Sequence, residues 1–308
     1  MNVVIEVRAL VKDYGRTRAL DGLDLEVRTG EVYGFIGPNG AGKSTTIRVL
    51  MDLLRPTAGE VRVFGLAPEA GGPSLRARIG YLPGELAMGG RVSAGEHLHH
   101  LASLRGGRGR GAIGALAERF DLDLGRPVRT LSKGNKQKIG VIQAFMHEPE
   151  LLILDEPTSG LDPLLQHEFL ALVCETAARG ATVLMSSHVL REVETVADRV
   201  AVIRAGRTVD VDSVAGLRRR AGQRVSLRFA DPVDAAAAAT IDGVAQVRVD
   251  GDTLTCLLHG EPHALLSWAA RGRVLAWSAR DRDLEDLFLD VYRNHADAPD
   301  ADGVRDAR

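Results

Sequence analysis

The chain has 308 residues, a length that suggests about two domains and a sizeable core. Its 39 lysines and arginines nearly balance 41 aspartates and glutamates, so the net charge of −2 gives no general attraction to nucleic acid. Aromatic residues make up only 4%, which also disfavours a surface that stacks bases. No apolar run approaches the ~20 residues of a membrane-spanning helix, and the first residues lack the apolar stretch of a signal peptide. Any role at a membrane would therefore require a partner.

Strands and helices alternate along the first two thirds of the chain, which predicts a largely parallel sheet with both faces covered. A helical stretch from Ser93 to Ala144, interrupted at 106–111, indicates a helical insertion in this α/β core. The segments 13–18 and 67–73 are predicted as a turn and a loop. Strands are predicted at 3–8, 23–28, 31–37, 60–64, 79–82, 151–154, 182–186 and 200–204, and helices at 45–54, 163–179 and 189–197.

Composition changes after about residue 214, where a basic linker around 218–220 begins a different pattern. The segments after this linker have the order β-α-β-β-α-β, which matches a ferredoxin-like unit of roughly 70 residues. A last helix, 284–292, carries apolar residues on one face and is suited to docking on this unit. The elements predicted for the unit are strands at 223–229, 244–249, 252–258 and 273–279, and helices at 232–240 and 261–271.

Residues 37–45, GPNGAGKST, fit the phosphate-loop spacing G-x-x-x-x-G-K-[ST] between a strand-like and a helical segment. The glycines let backbone N–H groups turn inward toward a phosphate, and the start of the helix adds partial positive charge. Lys43 is expected to bridge the β- and γ-phosphates, and Ser44 to ligate Mg²⁺. The sequence thus predicts binding of a nucleoside triphosphate. The loop residues assigned to this site are Gly37, Pro38, Asn39, Gly40, Ala41, Gly42, Lys43, Ser44 and Thr45.

A second candidate site lies at the end of the apolar segment 151–154, where Asp155 and Glu156 come next in sequence. Open α/β sheets bind their ligands at the carboxyl ends of the strands. Asp155 is expected to hold Mg²⁺ through water, and Glu156 to orient or deprotonate the attacking water as the general base. Together with the phosphate loop, this pair predicts hydrolysis of the bound triphosphate.

Two further patterns have simpler interpretations. His97 and His100 share a helical face, but no cysteine or other ligand cluster adjoins them, so a solvated helix face is expected rather than a metal site. Cys174 and Cys256 lie far apart without metal-ligand spacing, and both are expected to be reduced, packed thiols.

Four other segments join the two nucleotide motifs in an order that is typical of one family. Residues 131–135, LSKGN, resemble the signature LSGGQ; residues 159–162, SGLD, resemble the D-loop. Ser187 and His188 resemble the switch-histidine loop, and Tyr14 falls at the position of the adenine-stacking aromatic residue. Over about residues 4–212, the chain thus resembles the ATP-binding subunits of ATP-binding cassette (ABC) transporters.

The resemblance implies a P-loop NTPase cassette of the α/β class, with an antiparallel β subdomain and an inserted helical subdomain. A small α+β domain of ferredoxin-like fold is expected to follow it. The expected boundaries are 1–214 for the nucleotide-binding domain, with the helical subdomain at about 85–145, then 215–293 for the C-terminal domain and 294–308 for a disordered tail.

The resemblance also implies a homodimer that encloses two ATP molecules with Mg²⁺ between its subunits. Ser132 and the backbone at Gly134 begin a helix and would bind the γ-phosphate of ATP held by the partner's phosphate loop. Asp162 would cross the interface toward the partner's site, His188 would contact the γ-phosphate, and Tyr14 would stack on adenine. The residues expected to act in catalysis are Lys43, Glu156 and His188.

Three positions depart from the family pattern. Gly84 lies where the family usually has a glutamine, and glycine has no side chain to contact Mg²⁺ or the attacking water. Lys133 replaces a glycine of the signature, and Asn135 replaces its glutamine. The charge of the lysine should favour binding of a γ-phosphate. Because the nucleotide motifs are complete, both sites of a homodimer are expected to hydrolyse ATP.

The pattern LSKGN-x-QK, the GYLPGE loop and the closing segment 283–289 resemble the drug and antibiotic exporter branch, whose permeases are separate chains. The expected function is ATP hydrolysis that powers export of a drug, antibiotic or other amphiphilic compound through integral-membrane permease subunits. The expected location is the cytoplasmic face of a bacterial cell membrane, without a nucleic-acid partner. The alternative is a soluble ABC-type ATPase with a non-transport role in remodelling or sensing.

Overall fold

The computed structural model describes residues 2–282, which fall into two compact units that divide between Asp212 and Ser213. Within these residues, no helix is both long and apolar enough to cross a bilayer. The elements up to the division are, in chain order, β1 (Val3–Tyr14), β2 (Thr17–Arg28), β3 (Val32–Ile36), α1 (Lys43–Leu50), β4 (Ala58–Val63), α2 (Pro68–Ala77), β5 (Ile79–Leu82), α3 (Ala94–Leu104), α4 (Ile113–Arg119), α5 (Lys133–Phe145), β6 (Leu151–Asp155), α6 (Pro163–Ala178), β7 (Thr182–Ser187), α7 (Leu190–Val196), β8 (Arg199–Arg204) and β9 (Arg207–Ser213).

A six-stranded sheet in the order β5-β6-β7-β3-β8-β9 forms the centre of the first unit, and its strands from β5 to β8 pair in parallel. Every residue of β3, β6 and β7 is buried, which explains why these segments are apolar runs rather than alternating patterns. The strand order places the carboxyl ends of β6, β7 and β3 side by side. The loops after these three strands therefore meet at one edge of the sheet.

An antiparallel sheet in the order β2-β1-β4 shares a hydrophobic core with α1 and one face of the parallel sheet. Ile5 and Leu23 come from the antiparallel sheet, Ile47 from α1, and Phe35 and Ile153 from the parallel sheet, and all five are fully buried. This core fixes α1, and with it the preceding loop, between two sheets.

The helices α3, α4 and α5 form the insertion that was predicted from the helical pattern, and they enclose a core of their own. The start of α3 is fixed by a capping box: Ser93 Oγ accepts from Glu96 N at 3.1 Å, and Ser93 N donates to Glu96 Oε2 at 2.7 Å. Short 3₁₀ turns lie at Arg110–Ala112 and Val128–Thr130. Buried residues of this core include Leu98, Ala102, Ile113, Leu131, Ile139 and Ile142.

Several local predictions were wrong. The segment 67–73, predicted as a loop, begins α2, which bends at Gly72 because that residue has a φ of 54° and precedes Pro73. The first two strands were predicted too short, since β1 and β2 are 12 residues each and pair as an antiparallel hairpin. The strand β9 was missed altogether.

The described part of the second unit contains α8 (Val214–Ala221), β10 (Gln223–Phe229), α9 (Ala235–Ala239), β11 (Val244–Asp250), β12 (Thr253–Leu258), α10 (His263–Ala269) and β13 (Val274–Asp281). Its four strands pair antiparallel in the order β11-β12-β10-β13. The basic segment 218–220, predicted as a linker, belongs to α8. The predicted last helix, 284–292, and the predicted tail, 294–308, lie outside the described residues.

Both cysteines are free, but only one is packed as predicted. Cys256 is buried in the core of the second unit, and burial raises the pKa of its thiol. Cys174 is exposed, because it lies on the outer face of α6.

A buried histidine comes shortly after α5 and is a source of pH-dependent stability. His147 is 7% exposed, and its Nε2 donates to the carbonyl oxygen of Ile79 at 3.2 Å. Burial, and then the charge of Arg105, lower the pKa of His147 to about 4. The folded protein therefore favours the neutral imidazole.

The free energy of unfolding should fall as the pH is lowered from about 6.5 to about 4, because only the unfolded chain then binds a proton at His147. The contribution of this group is up to about 1.4 kcal/mol per pH unit. In His147→Gln the side chain is neutral throughout, so urea unfolding at several pH values should give a shallower loss than in the wild type. Equal slopes for the two proteins would contradict this assignment.

Candidate functional site

The candidate site is built from the loops after β3, β6 and β7, which contain the phosphate loop, the acidic pair and the predicted switch histidine. The register of the sheet sets these loops at the same level, because Asp155 is the partner of Ser186 and Ile36 is the partner of Ser187. Residues that are more than 100 positions apart in the chain are thereby brought together.

The phosphate loop has a backbone that glycine alone adopts easily. Gly40 has a φ of 80° and Gly42 a φ of 111°, both in the left-handed region. At Gly37, a Cβ would stand 2.4 Å from the carbonyl oxygen of Ile203, so the loop lies close against β8. α1 begins directly after Gly42, without a side-chain cap or an acidic residue in its first turn. The start of this helix is therefore left for an external anion.

Lys43 extends back into the loop rather than into solvent, since its side chain is only 5% exposed. Its Nζ donates to the carbonyl oxygens of Gly37 at 2.6 Å and Pro38 at 3.2 Å. A buried ammonium within a turn of backbone N–H groups fits the polyphosphate of a nucleotide, which would replace these carbonyl contacts.

The acidic pair is held by the neighbouring strand. Asp155 is buried, and its Oδ1 accepts from Ser186 Oγ at 2.7 Å. The same hydroxyl accepts from Glu156 N at 3.1 Å. Glu156 has a φ of 47°, so the chain turns sharply where β6 ends. Ser186 thus orients both acidic residues. The sequence analysis did not predict this role, although a hydroxyl residue at the end of an apolar strand could have indicated it.

Glu156 lies between the two other predicted catalytic residues. Its Oε1 is 3.2 Å from Lys43 Nζ, and its Oε2 is 2.6 Å from His188 Nδ1. Oε1 is buried and has no hydrogen-bond partner in residues 2–282, so the contact with lysine is an ion pair without hydrogen-bond geometry. The His188 side chain is 52% exposed. One buried carboxylate oxygen is therefore available to a group that enters the site.

The signature and D-loop residues lie at the starts of two helices. Ser132 caps α5, where its Oγ accepts from Asn135 N at 3.2 Å, and Asp162 caps α6, where its Oδ1 accepts from Leu165 N at 3.0 Å. The two segments touch, since a Cβ on Gly134 would stand 2.7 Å from the carbonyl oxygen of Gly160.

Two predicted positions stand apart from this cluster. Tyr14 ends β1 and is 45% exposed; its ring lies 5.4 Å from Lys12 Nζ, and no hydrogen bond or ring contact joins it to the phosphate loop in the described chain. Gly84 lies beside the acidic pair, where a Cβ would stand 3.4 Å from Asp155 Oδ2. A side chain at that position would therefore reach the site. Glu85 is exposed.

The parallel sheet has a phosphate loop, an acidic pair and a histidine at its carboxyl edge, and a helical insertion extends it. This combination is that of an ATP-binding cassette. The comparisons with known proteins agree. The family model described as ABC transporter matches residues 20–159. Together with two relatives that are at least 35% identical over three quarters or more of this chain, this match shows that the chain belongs to the ATP-binding subunits of ABC transporters, which are ATPases that bind ATP.

Two relatives are similar over most of their length. The chain is 38% identical to the daunorubicin resistance ATP-binding protein DrrA3 of Streptomyces coeruleorubidus, over 82% of this chain and 81% of the relative. It is 35% identical to the bacitracin transport ATP-binding protein BcrA of Bacillus licheniformis, over 75% of this chain and 76% of the relative.

Solved structures support the same fold. One described as the ATP binding subunit of an ABC transporter has a TM-score of 0.66 and 32% identity, over 70% of this chain and 92% of that chain. The dimeric cassette MJ0796 has a TM-score of 0.61 at 21% identity, over 68% of this chain and 98% of that chain, and is similar in fold. The predicted cassette fold is thereby confirmed.

The crowding around the phosphate loop predicts unequal effects of two similar substitutions. At Gly42 a Cβ would stand 2.6 Å from Leu20 Cδ2 and 3.0 Å from the carbonyl oxygen of Ala19, whereas at Gly40 it would meet nothing within 4 Å. Gly40→Ala should cost about 1–2 kcal/mol of unfolding free energy for its left-handed φ. Gly42→Ala adds overpacking, typically about 1–3 kcal/mol more.

Urea unfolding without nucleotide measures both variants, and Gly40→Ala is the matched control for backbone strain. Equal losses of stability in the two variants would show that Leu20 and Ala19 do not restrict Gly42.

Proposed function

We propose that this chain hydrolyses ATP as a homodimer and thereby powers export of a drug, an antibiotic or another amphiphilic compound through separate membrane permease subunits. The observation that carries the proposal is the position of Glu156 between Lys43 and His188 at the mouth of the phosphate loop. Transport of a drug or antibiotic is supported by the names of the relatives, which concern daunorubicin resistance and bacitracin transport.

Binding of the triphosphate uses the phosphate loop. The backbone N–H groups of the phosphate loop, which Pro38 alone lacks, and the start of α1 would bind the phosphate oxygens, and Lys43 would turn its ammonium from the Gly37 carbonyl to the β- and γ-phosphates. Mg²⁺ fits here, because Ser44 lies in the first turn of the helix that receives the phosphates, and the buried Asp155 directly precedes Glu156, which contacts Lys43. The ion would reduce the negative charge of the phosphates.

Hydrolysis is assigned to Glu156 as the general base, with His188 as its neighbour at the γ-phosphate. The carboxylate already contacts both Lys43 and His188, so its position is restricted before substrate binds. Oε1, which lacks a hydrogen bond, is the atom that would accept the proton of the attacking water.

Dimer formation places a second copy across the nucleotide. Ser132 and the backbone at Gly134 begin α5 and would bind the γ-phosphate held by the partner, and Asp162 would lie at the same interface. Lys133 and Asn135 flank that helix start. A cassette of similar fold, MJ0796, is dimeric in its solved structure, which supports a dimer. Tyr14 would stack on the adenine ring.

The second unit is proposed to be a ferredoxin-like domain of about residues 215–293, after a nucleotide-binding domain of residues 1–214 that contains the helical subdomain at 85–145. The support is its strand order β11-β12-β10-β13, with α9 and α10 as the two crossover helices. A peripheral position at the cytoplasmic face of a bacterial membrane is implied by the proposed permease partner.

Glu156→Gln should retain ATP binding but lower the rate of hydrolysis by roughly 10²–10⁴-fold, because an amide cannot accept the proton of the attacking water. The nucleotide that is not cleaved should hold the dimer together. Phosphate release and size-exclusion chromatography in ATP and Mg²⁺ measure the two effects. Wild-type turnover in this variant would exclude Glu156 as the base.

Lys43→Ala should lose affinity for ATP, since the buried ammonium is the cation within the phosphate loop. Its affinity is measured by titration with a fluorescent ATP analogue, with Glu156→Gln as the comparison that should keep its affinity. Tight nucleotide binding by Lys43→Ala would contradict the assigned site.

Gly84→Gln should fold normally, because a Cβ at that position makes ordinary contacts of 3.4 Å with Asp155. We expect a modest change in ATPase rate and a larger change in permease-stimulated ATPase. Stimulation equal to that of the wild type would show that another residue performs the role of the family glutamine.

A further inference from the structure

Glu192 on α7 joins two loops of the proposed site through one carboxylate oxygen. Its Oε2 accepts from Thr158 Oγ1 at 2.7 Å and from Ser187 Oγ at 3.1 Å. Thr158 lies two residues after Glu156, and Ser187 directly precedes His188. The two hydrogen bonds therefore hold the chain next to the general base and the chain next to the switch histidine.

The two hydroxyls are held away from water. Thr158 is 5% exposed and Ser187 is 1% exposed, and Glu192 is partly buried. Ser187 Oγ also accepts from Val189 N at 2.9 Å, which fixes the turn that carries His188. In such a site, hydrogen bonds to a carboxylate are stronger than those to a neutral acceptor.

Glu192 makes no ion pair with a lysine or arginine among residues 2–282. Its Oε2 instead accepts hydrogen bonds from the two hydroxyl groups. The loop after Glu156 is also held by α5. Gln137 on that helix is buried, and its Nε2 donates to the Pro157 carbonyl oxygen at 2.8 Å. The chain after Glu156 is thus fixed between α5 and α7.

We propose that Glu192 is a positioning residue for ATP hydrolysis, which holds the loop after Glu156 and the His188 turn in one arrangement. This role rests on the proposed function, since it concerns the alignment of Glu156 and His188. Without the Glu192 carboxylate, the loop after β6 and the turn after β7 lose their shared acceptor. The distance between general base and histidine then varies, and misplacement of such groups by about 1 Å can cost roughly 100-fold in rate.

The test compares Glu192→Ala and Glu192→Gln with Thr158→Val, which removes the hydroxyl but keeps the shape. Glu192→Ala should lower kcat roughly 10- to 100-fold at unchanged affinity for ATP. Glu192→Gln, whose amide oxygen can accept both hydrogen bonds, should remain within about fivefold of the wild type. Thr195→Val on the same helix is the control, because within the described residues its hydroxyl donates to Arg191 O of α7 itself.

A double-mutant cycle separates positioning from a general loss of stability. If the Thr158 hydroxyl acts through Glu192, Thr158→Val should lower kcat in the wild type but have little further effect in Glu192→Ala. Additive effects, an unchanged kcat in Glu192→Ala, or a parallel loss of ATP affinity would overturn the proposal.

Hydrogen exchange tests the contact without relying on hydrolysis. The amides of Ser159 and Leu161 donate to Glu156 O and Thr158 O, and Glu192→Ala should speed their exchange in the nucleotide-free full chain, whereas Thr195→Val should not. Equal exchange in Glu192→Ala and wild type would overturn the proposal. An inactive wild type with faster exchange in Glu192→Ala would instead contradict the proposed ATPase and leave the loop contact supported.

Discussion

The parallel register of β6, β7 and β3 is the constraint on which the site depends. Because these three strands are neighbours and point the same way, the loops at their carboxyl ends meet at one level of the sheet. The pairing of Asp155 with Ser186 brings the end of β6 against the end of β7. A shift of one strand by one residue would turn its side chains to the other face, and would separate the acidic pair from the hydroxyl that orients it.

Burying charged side chains at the carboxyl edge of the sheet costs free energy, and hydrogen bonds and ion pairs offset this cost. Lys43 and Asp155 are both nearly inaccessible to water, and burial of a charge costs several kcal/mol unless partners compensate. Lys43 has two carbonyl oxygens and Glu156, while Asp155 has the hydroxyl of Ser186. In the proposed function, a bound triphosphate would replace part of these internal contacts, which would link occupancy of the site to the positions of the surrounding loops.

The motifs of the candidate site were easier to find in the sequence than the exact elements around them. The phosphate loop and the acidic pair could be found because each motif lies within a few consecutive residues. Glycines at this spacing are typical of phosphate binding, and carboxylates at the end of a buried strand are typical of a ligand site. The loop predicted at 67–73 was instead the start of α2, since Gly72 and Pro73 bend a helix here rather than prevent it. Cys174 was predicted to be a packed thiol because it has no metal-ligand spacing to Cys256, yet the face of α6 that it occupies is exposed. Neither error could be seen without the neighbouring elements.

By itself, the sequence determined the class of protein and the order of most of its strands and helices, and it predicted which residues bind phosphate, because these depend on short motifs and on local periodicity. Only the tertiary structure decided which of those residues touch. The contact of Glu156 with both Lys43 and His188, and the contact of Glu192 with Thr158, join segments more than 30 positions apart. Such contacts arise from strand order and register, which are set by packing across the whole sheet, and no local pattern of residues encodes them.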